Sequence, residues 1–180
     1  LSADGWIDEA YFLQIDIHAT GIAHMDTFVE IGDGRQDLDE NGVPYADVVE
    51  AYNTTVNNIL DNNYPDVYNH ALLLEDVPIR EIDDVLYREF ILDINQEIGT
   101  SDTSHLLSLD EIQIFLSSEP NQDTEDFDAD IVDLDNSELV YRLDDGVDNW
   151  IMLNYTLNDG LGTGDMFAYI PDSYFQEVFD

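Results

Sequence analysis

The sharpest chemical signal in the chain is Asp37-Leu38-Asp39-Glu40-Asn41-Gly42. It reads D-x-D-x-N-G, the opening half of an EF-hand-type calcium loop, in which alternate oxygen-bearing side chains turn inward and the glycine permits the tight bend. The twelfth position, where a bidentate glutamate belongs, is Val48, so Asp47 or Glu50 has to substitute. The competing reading is a solvated acidic turn. A second set of hard oxygen ligands sits at predicted strand ends: Asp93, Asn95, Asp110 and Glu111, with Asp148, Asn149 and Asp165. A structural calcium tying loops to a sheet would use such positions, and the sequence leaves open which of them converge.

Other chemistries find less support. His18, His24, His70 and His105 lack the tight spacing of a zinc site, which needs three or four convergent ligands. A hydrolase needs two carboxylates in distinct environments, and 42 acidic residues make every pair uninformative. No G-x-S-x-G, P-loop, H-E-x-x-H or dinucleotide fingerprint is present, and the glycines from Gly160 to Gly164 join two strands as turn chemistry. Asn53-Thr54-Thr55 and Asn154-Tyr155-Thr156 fit the N-glycosylation acceptor pattern, with Asn53 the better placed. The chain reads as non-catalytic.

The elements that must position these residues are β-strands. Glu89 to Ile94 and Leu106 to Leu116 are apolar runs either side of a polar loop, the pattern of paired antiparallel strands. Residues 6–31 alternate well enough for two strands, with Leu13, Ile15 and Ile17 on one face. Residues 47–60 are ambiguous between loop and a helical turn. The stretch from Ala71 reads as a strand, an edge interrupted by Pro78, and a hairpin turning at Asp83-Asp84, where glycine would sit more comfortably at Asp84. Residues 119–137 form an acidic loop, residues 138–143 a short strand, and residues 150–157 an alternating strand with Ile151, Leu153, Tyr155 and Leu157 on one face. A final strand runs to Pro171. Strands at such spacing, with no long helical period, predict an all-β fold, an antiparallel β-sandwich of jelly-roll type.

The charge sets the surroundings. Against 42 acidic residues stand four cationic ones, all arginine, for a formal net charge of −38. Self-repulsion of that size opposes folding unless cations screen or bind it. High salt, abundant divalent cations or an acidic medium would each do so, and all lie more naturally outside a cell. Nucleic acid and anionic membranes are excluded as electrostatic partners, because there are too few cationic groups to displace phosphate counterions. No apolar run is long enough to span a bilayer. With no cysteine, disulfides and thiolate sites are excluded. The start at Leu1, without a basic or signal-type stretch, fits a processed, exported chain.

Several stretches resemble a known group. EAYNTT (Glu50 to Thr55), LLLEDVP (Leu72 to Pro78), YREFILDIN (Tyr87 to Asn95), LLSLDEIQIFLS (Leu106 to Ser117) and the run from Tyr141 to Pro171 are similar, in order, to secreted bacterial surface proteins that usually carry a C-terminal Pro-Glu-Pro signal for exosortase sorting. The resemblance implies an extracellular or cell-surface protein of structural rather than enzymatic role. In that group the chain continues into a further strand, whereas here it reaches only Asp180, which implies an open groove beside the sheet. Residues 1–14, with Trp6, Ile7, Tyr11, Phe12 and Leu13, have the character of a donor strand for a neighbour's groove, leaving residues 15–180 as the sandwich domain. Head-to-tail donation gives a homopolymeric filament or matrix. The plain alternative is that residues 1–14 pair within their own sheet. The alternative function is a calcium-dependent module binding extracellular polysaccharide, with Trp6, Trp150 or tyrosines stacking on sugars.

Overall fold

The structure is a computed structural model, and it describes residues 4–14, 27–30, 51–55, 68–94, 105–122, 134, 136–157 and 164–176. Nine strands form among them, most by alternation and β9 as a continuous apolar run: β1 (Asp4–Ile7), β2 (Ala10–Gln14), β3 (Ile79–Ile82), β4 (Val85–Leu92), β5 (Leu106–Leu109), β6 (Gln113–Ser117), β7 (Ser137–Arg142), β8 (Ile151–Asn154) and β9 (Met166–Pro171). Among the described residues one short α-helix, α1 (Asp172–Gln176), follows directly. The class is all-β, built mostly of antiparallel sheet. Contacts divide the chain into two compact units, one of Leu1–Met25, Glu75–Leu116 and Glu138–Asp180, the other of Asp26–Leu74 and Ser117–Ser137.

The first unit holds a five-stranded sheet in the order β1-β2-β9-β4-β3, with β5-β8 and β6-β7 as separate two-stranded pairs. Its centre is β9, an apolar run flanked by β2 and β4 and buried on both faces. One face presents Ala10, Phe12, Met166, Ala168 and Ile170, all buried. From this side Phe12 meets the ring of Tyr141 on β7 at 6.4 Å, and Gln14 Nε2 donates to the Met152 carbonyl of β8 at 2.7 Å. The other face clusters Tyr87, Phe167 and Tyr169, with Tyr11, Leu13, Ile82 and Ile91 packed against them.

Both outer hairpins turn through two residues of positive φ, Asp8-Glu9 (47° and 65°) and Asp83-Asp84 (50° and 65°). That conformation matches the right-handed strand twist, but favours Asn-Gly over two acids. The Asp83-Asp84 turn lies where alternation on either side places it.

Three expectations change. The runs on either side of the polar loop do not pair with one another: β4 lies between β3 and β9, while Leu106–Ser117 splits at Asp110-Glu111 into β5 and β6, which find β8 and β7. The strand expected over residues 150–157 ends at Asn154, and Tyr155–Leu157 is a 3-10 turn. Asn154 Oδ1 accepts both the Thr156 N–H (3.0 Å) and its hydroxyl (2.8 Å), a local bond that competes with the sheet ladder. The strand expected from Ala71 is absent, and Leu74–Asp76 is a 3-10 turn. Pro171 closes β9 as its sequence predicts, and α1 begins immediately beyond it, anchored by buried Phe175.

The second unit is described through short segments. His70 N–H donates to the Phe28 carbonyl (3.0 Å), Glu30 N–H to Asn69 Oδ1 (2.8 Å) and Thr55 N–H to Asn121 Oδ1 (3.1 Å). Thr54 and Asn69 are fully buried polar side chains there. Of the ambiguous residues 47–60, 51–55 are described and are not helical.

Candidate functional site

The register of β4 on β9 decides which carboxylates meet. Leu92 lies opposite Met166, so the next positions outward, Asp93 and Asp165, face each other where the ladder ends. Main-chain bonds hold the junction: Asp165 N–H donates to the Leu92 carbonyl and Ile94 N–H donates to Asp165 Oδ2, both at 2.7 Å. Gly164 enters this corner at φ 69°, a conformation glycine adopts without strain. Asp165 is 0% exposed, and its Oδ1 has no hydrogen-bond partner. Burial pushes this carboxyl up to about 6; the Ile94 amide opposes that, while the neighbouring Asp93 carboxylate adds to it. Two acids directly opposite on a sheet repel unless something positive, or a proton, lies between them.

The other oxygen ligands named from sequence go elsewhere. Glu111 Oε2 pairs with Arg142 Nε at 2.9 Å, and its Oε1 accepts the Ile112 N–H. Asp110 is exposed and accepts from the Ser108 hydroxyl. Asn149 closes the turn after β7, its N–H donating to Asp144 Oδ1 and its amide to the Leu143 carbonyl. Asp148 is exposed in that turn. Asp37, Asp39, Asn41, Asp47 and Asn95 lie outside the described residues, as do His18 and His24. Among the described residues, no three His, Asp or Glu side chains converge on a metal position.

Asn53 is half-buried and its Nδ2 donates to the His70 carbonyl at 3.4 Å. The proposed donor residues Trp6 and Ile7 lie on β1, and Tyr11, Phe12 and Leu13 on β2, all within the chain's own five-stranded sheet. Trp6 is 54% exposed, its indole 4.8 Å from the Tyr11 ring and 6.0 Å from Tyr87.

The arginines are the part of the molecule that motif reading passed over. Arg80 binds Glu89 through Nε and Nη2, both at 3.0 Å. Glu89 also takes a hydrogen bond from Tyr169, whose phenol is pushed up to about 12, first by burial and then by that carboxylate. Arg88 Nε reaches Asp172 Oδ1 at 2.6 Å, with 12% and 5% of the two side chains exposed. Arg142 holds Glu111. A signal was present: a chain with arginine but no lysine selects the side chain suited to planar, two-pronged carboxylate pairing.

In chemical terms, the Asp93–Asp165 pair can hold a proton or a hard cation. Asp165 itself is fully buried, whereas Asp93 is half-buried. No family model, curated protein or solved structure matches the chain.

Proposed function

We propose that the chain is a non-catalytic β-sandwich of an extracellular surface or matrix protein, assembling with copies of itself on a surface neutralised by cations. The observation that carries this reading is the disposition of charge. Arg80, Arg88 and Arg142 each sit in an ion pair within the chain, and there is no lysine, so these cationic groups are committed internally. Most of the 42 acidic residues therefore go without a cationic side chain. Copies of such a surface approach one another only where cations bridge or screen them. The sandwich itself is supported by Phe12 against Tyr141 and Gln14 against Met152, which bring one face of the large sheet onto β7 and β8.

Strand exchange is part of the proposal, and β1–β2 is the exchanging element. Docked in its own sheet it buries Ala10 and Phe12 along β9, and the same register formed with a neighbour's β9 would link copies head to tail. Electron microscopy and light scattering with calcium and with chelator test assembly; monomers under both conditions overturn it. A cystine engineered across the register pair Leu13 and Phe167 locks the hairpin at home. Assembly that is lost when the cystine forms and regained on reduction supports exchange, and assembly indifferent to it removes that element.

One observation favours a second reading, polysaccharide binding. The exposed indole of Trp6, backed by Tyr11, is a platform of the kind sugars stack on. Retardation in gels containing neutral polysaccharide, abolished by Trp6→Ala in a monomeric protein, would favour it; equal mobility of both proteins excludes it.

A further inference from the structure

We propose that Asp93 and Asp165 bind one divalent cation of the calcium type, which fastens the start of β9 to the end of β4. The geometry points there for three reasons. First, the two carboxyl groups occupy opposite positions at the end of an antiparallel ladder and interact directly, so their charges are forced together by the register. Second, Asp165 is held from both sides, by its own N–H on Leu92 and by Ile94 N–H on Oδ2, so it cannot swing away from its neighbour. Third, Oδ1 of Asp165 is shut off from water and lacks a hydrogen-bond partner, although buried oxygens are almost always satisfied.

A proton between the pair would relieve the repulsion, and so would a hard cation. The chain's own field decides between them. A molecule of net charge −38 concentrates divalent cations around itself, and calcium accepts carboxylates in one- or two-pronged geometry with main-chain carbonyls and water completing six to eight ligands. No third acidic or histidine side chain among the described residues joins the pair, so within them the remaining ligands would be main-chain oxygens and water. Magnesium, which demands a near-ideal octahedron and gives up water reluctantly, fits this mixed set less well. The position also gives the cation a task. β9 is the only strand of the large sheet buried at all six positions, and Asp165 is the residue immediately before it. A metal there ties the central strand to β4 at one end, as α1 and the Arg88–Asp172 pair do at the other.

The site lies inside one chain and does not depend on assembly. Melting of the monomer reads it and microscopy reads the assembly, so either can fail alone. Calcium chloride is titrated into chelator-treated protein in about 1 M sodium chloride, where screening within about 3 Å suppresses diffuse surface binding. Calorimetric titration should find a saturable calcium site that is lost in Asp165→Asn and in Asp93→Asn, whereas any site in the Asp37–Gly42 loop would be untouched by either change. Saturation should raise the melting temperature of the native sequence by roughly 5 °C and that of either variant by less than about 1 °C. Should Asp165→Asn fail to fold, Asp93→Asn at the half-buried partner decides the matter. An undiminished number of saturable calcium sites in Asp93→Asn overturns the assignment. So does a native chain that binds no calcium above the diffuse background, which would leave the pair holding a proton.

Discussion

Replacing Arg88 with methionine should be among the most damaging single changes on the sheet. The side chain spends its charge on Asp172, at 2.6 Å, while its Nη1 donates to the Val77 carbonyl at 3.1 Å. Both partners are largely out of solvent, so the attraction is poorly screened and the desolvation already incurred is compensated only while both charges remain. Without Arg88, Asp172 keeps one neutral donor, Gln176 Nε2 at 2.5 Å, for a carboxylate lodged at the start of α1. Breaking such a pair typically costs about 3–5 kcal/mol. An upper bound follows from the alternative open to the carboxylate: taking up a proton at neutral pH costs an ordinary aspartate about 4 kcal/mol, after which no charge is buried. The expected loss at pH 7 is therefore about 3–4 kcal/mol by urea denaturation, a large share of the stability of an ordinary domain. Arg88→Met with Asp172→Asn removes both charges and should recover at least half of it, because an apolar and a neutral side chain leave nothing uncompensated. Repeating the measurement between about 0.1 M and 1 M salt should leave the Arg88→Met loss nearly unchanged, since a pair this buried is little screened. A loss under about 1 kcal/mol, or a double variant as unstable as the sum of the two singles, would refute the reasoning.

Three further outcomes follow from other parts of the sheet. Asp84→Gly should stabilise the fold by about 1 kcal/mol in urea, because φ 65° suits glycine and the change separates adjacent like charges; a decrease would mean the aspartate makes a compensating contact. Alkali should unfold the chain between pH 10 and 12: Tyr169, raised by burial and by Glu89 to about 12, stays protonated in the folded state where a free phenol ionises, so the native state binds the extra proton and loses stability as pH rises through that window. Phenolate absorbance should then appear together with the loss of structure, and tyrosines that all ionise near pH 10 in a folded chain would contradict it. Glu89→Gln should cost about 1–3 kcal/mol, as Arg80 loses a two-pronged partner and Tyr169 its charged acceptor. Equal melting temperatures for Glu89→Gln and the native chain would show that these bonds add nothing.

Local features were legible from sequence and nonlocal ones were not. The Asp83-Asp84 hairpin and the final strand could be read because both are set by residues within a few positions of one another: alternation around a two-residue gap, and an apolar run closed by proline. The partner of each strand could not. β4 looked like the mate of the run after the polar loop, yet its long edge belongs to β9, more than seventy residues on, and nothing in either strand's own pattern names the other. The same gap affects the candidate site. Asp93 and Asp165 stood among seven oxygen ligands of equal claim, and only the register Leu92 opposite Met166 singles them out. Helix α1, at five residues, is too short for its period to register against the neighbouring strand.

The charge of the chain is better understood once the carboxylates are divided by what they face. Glu89, Glu111 and Asp172 are matched to arginines in fixed geometry, and these pairs respond little to salt when buried. Asp110, Asp145 and Asp148 face water, and their mutual repulsion falls with ionic strength. Asp93 and Asp165 belong to neither class, since Asp165 is beyond the reach of diffuse screening and the acid opposite it adds to its burden rather than relieving it. Monovalent salt should therefore restore much of the stability lost to self-repulsion without relieving this corner. The two effects are separable: sodium chloride acts on the whole surface at once, whereas a divalent cation that saturates at low concentration over a high-salt background acts on the one place where two carboxylates have been forced together.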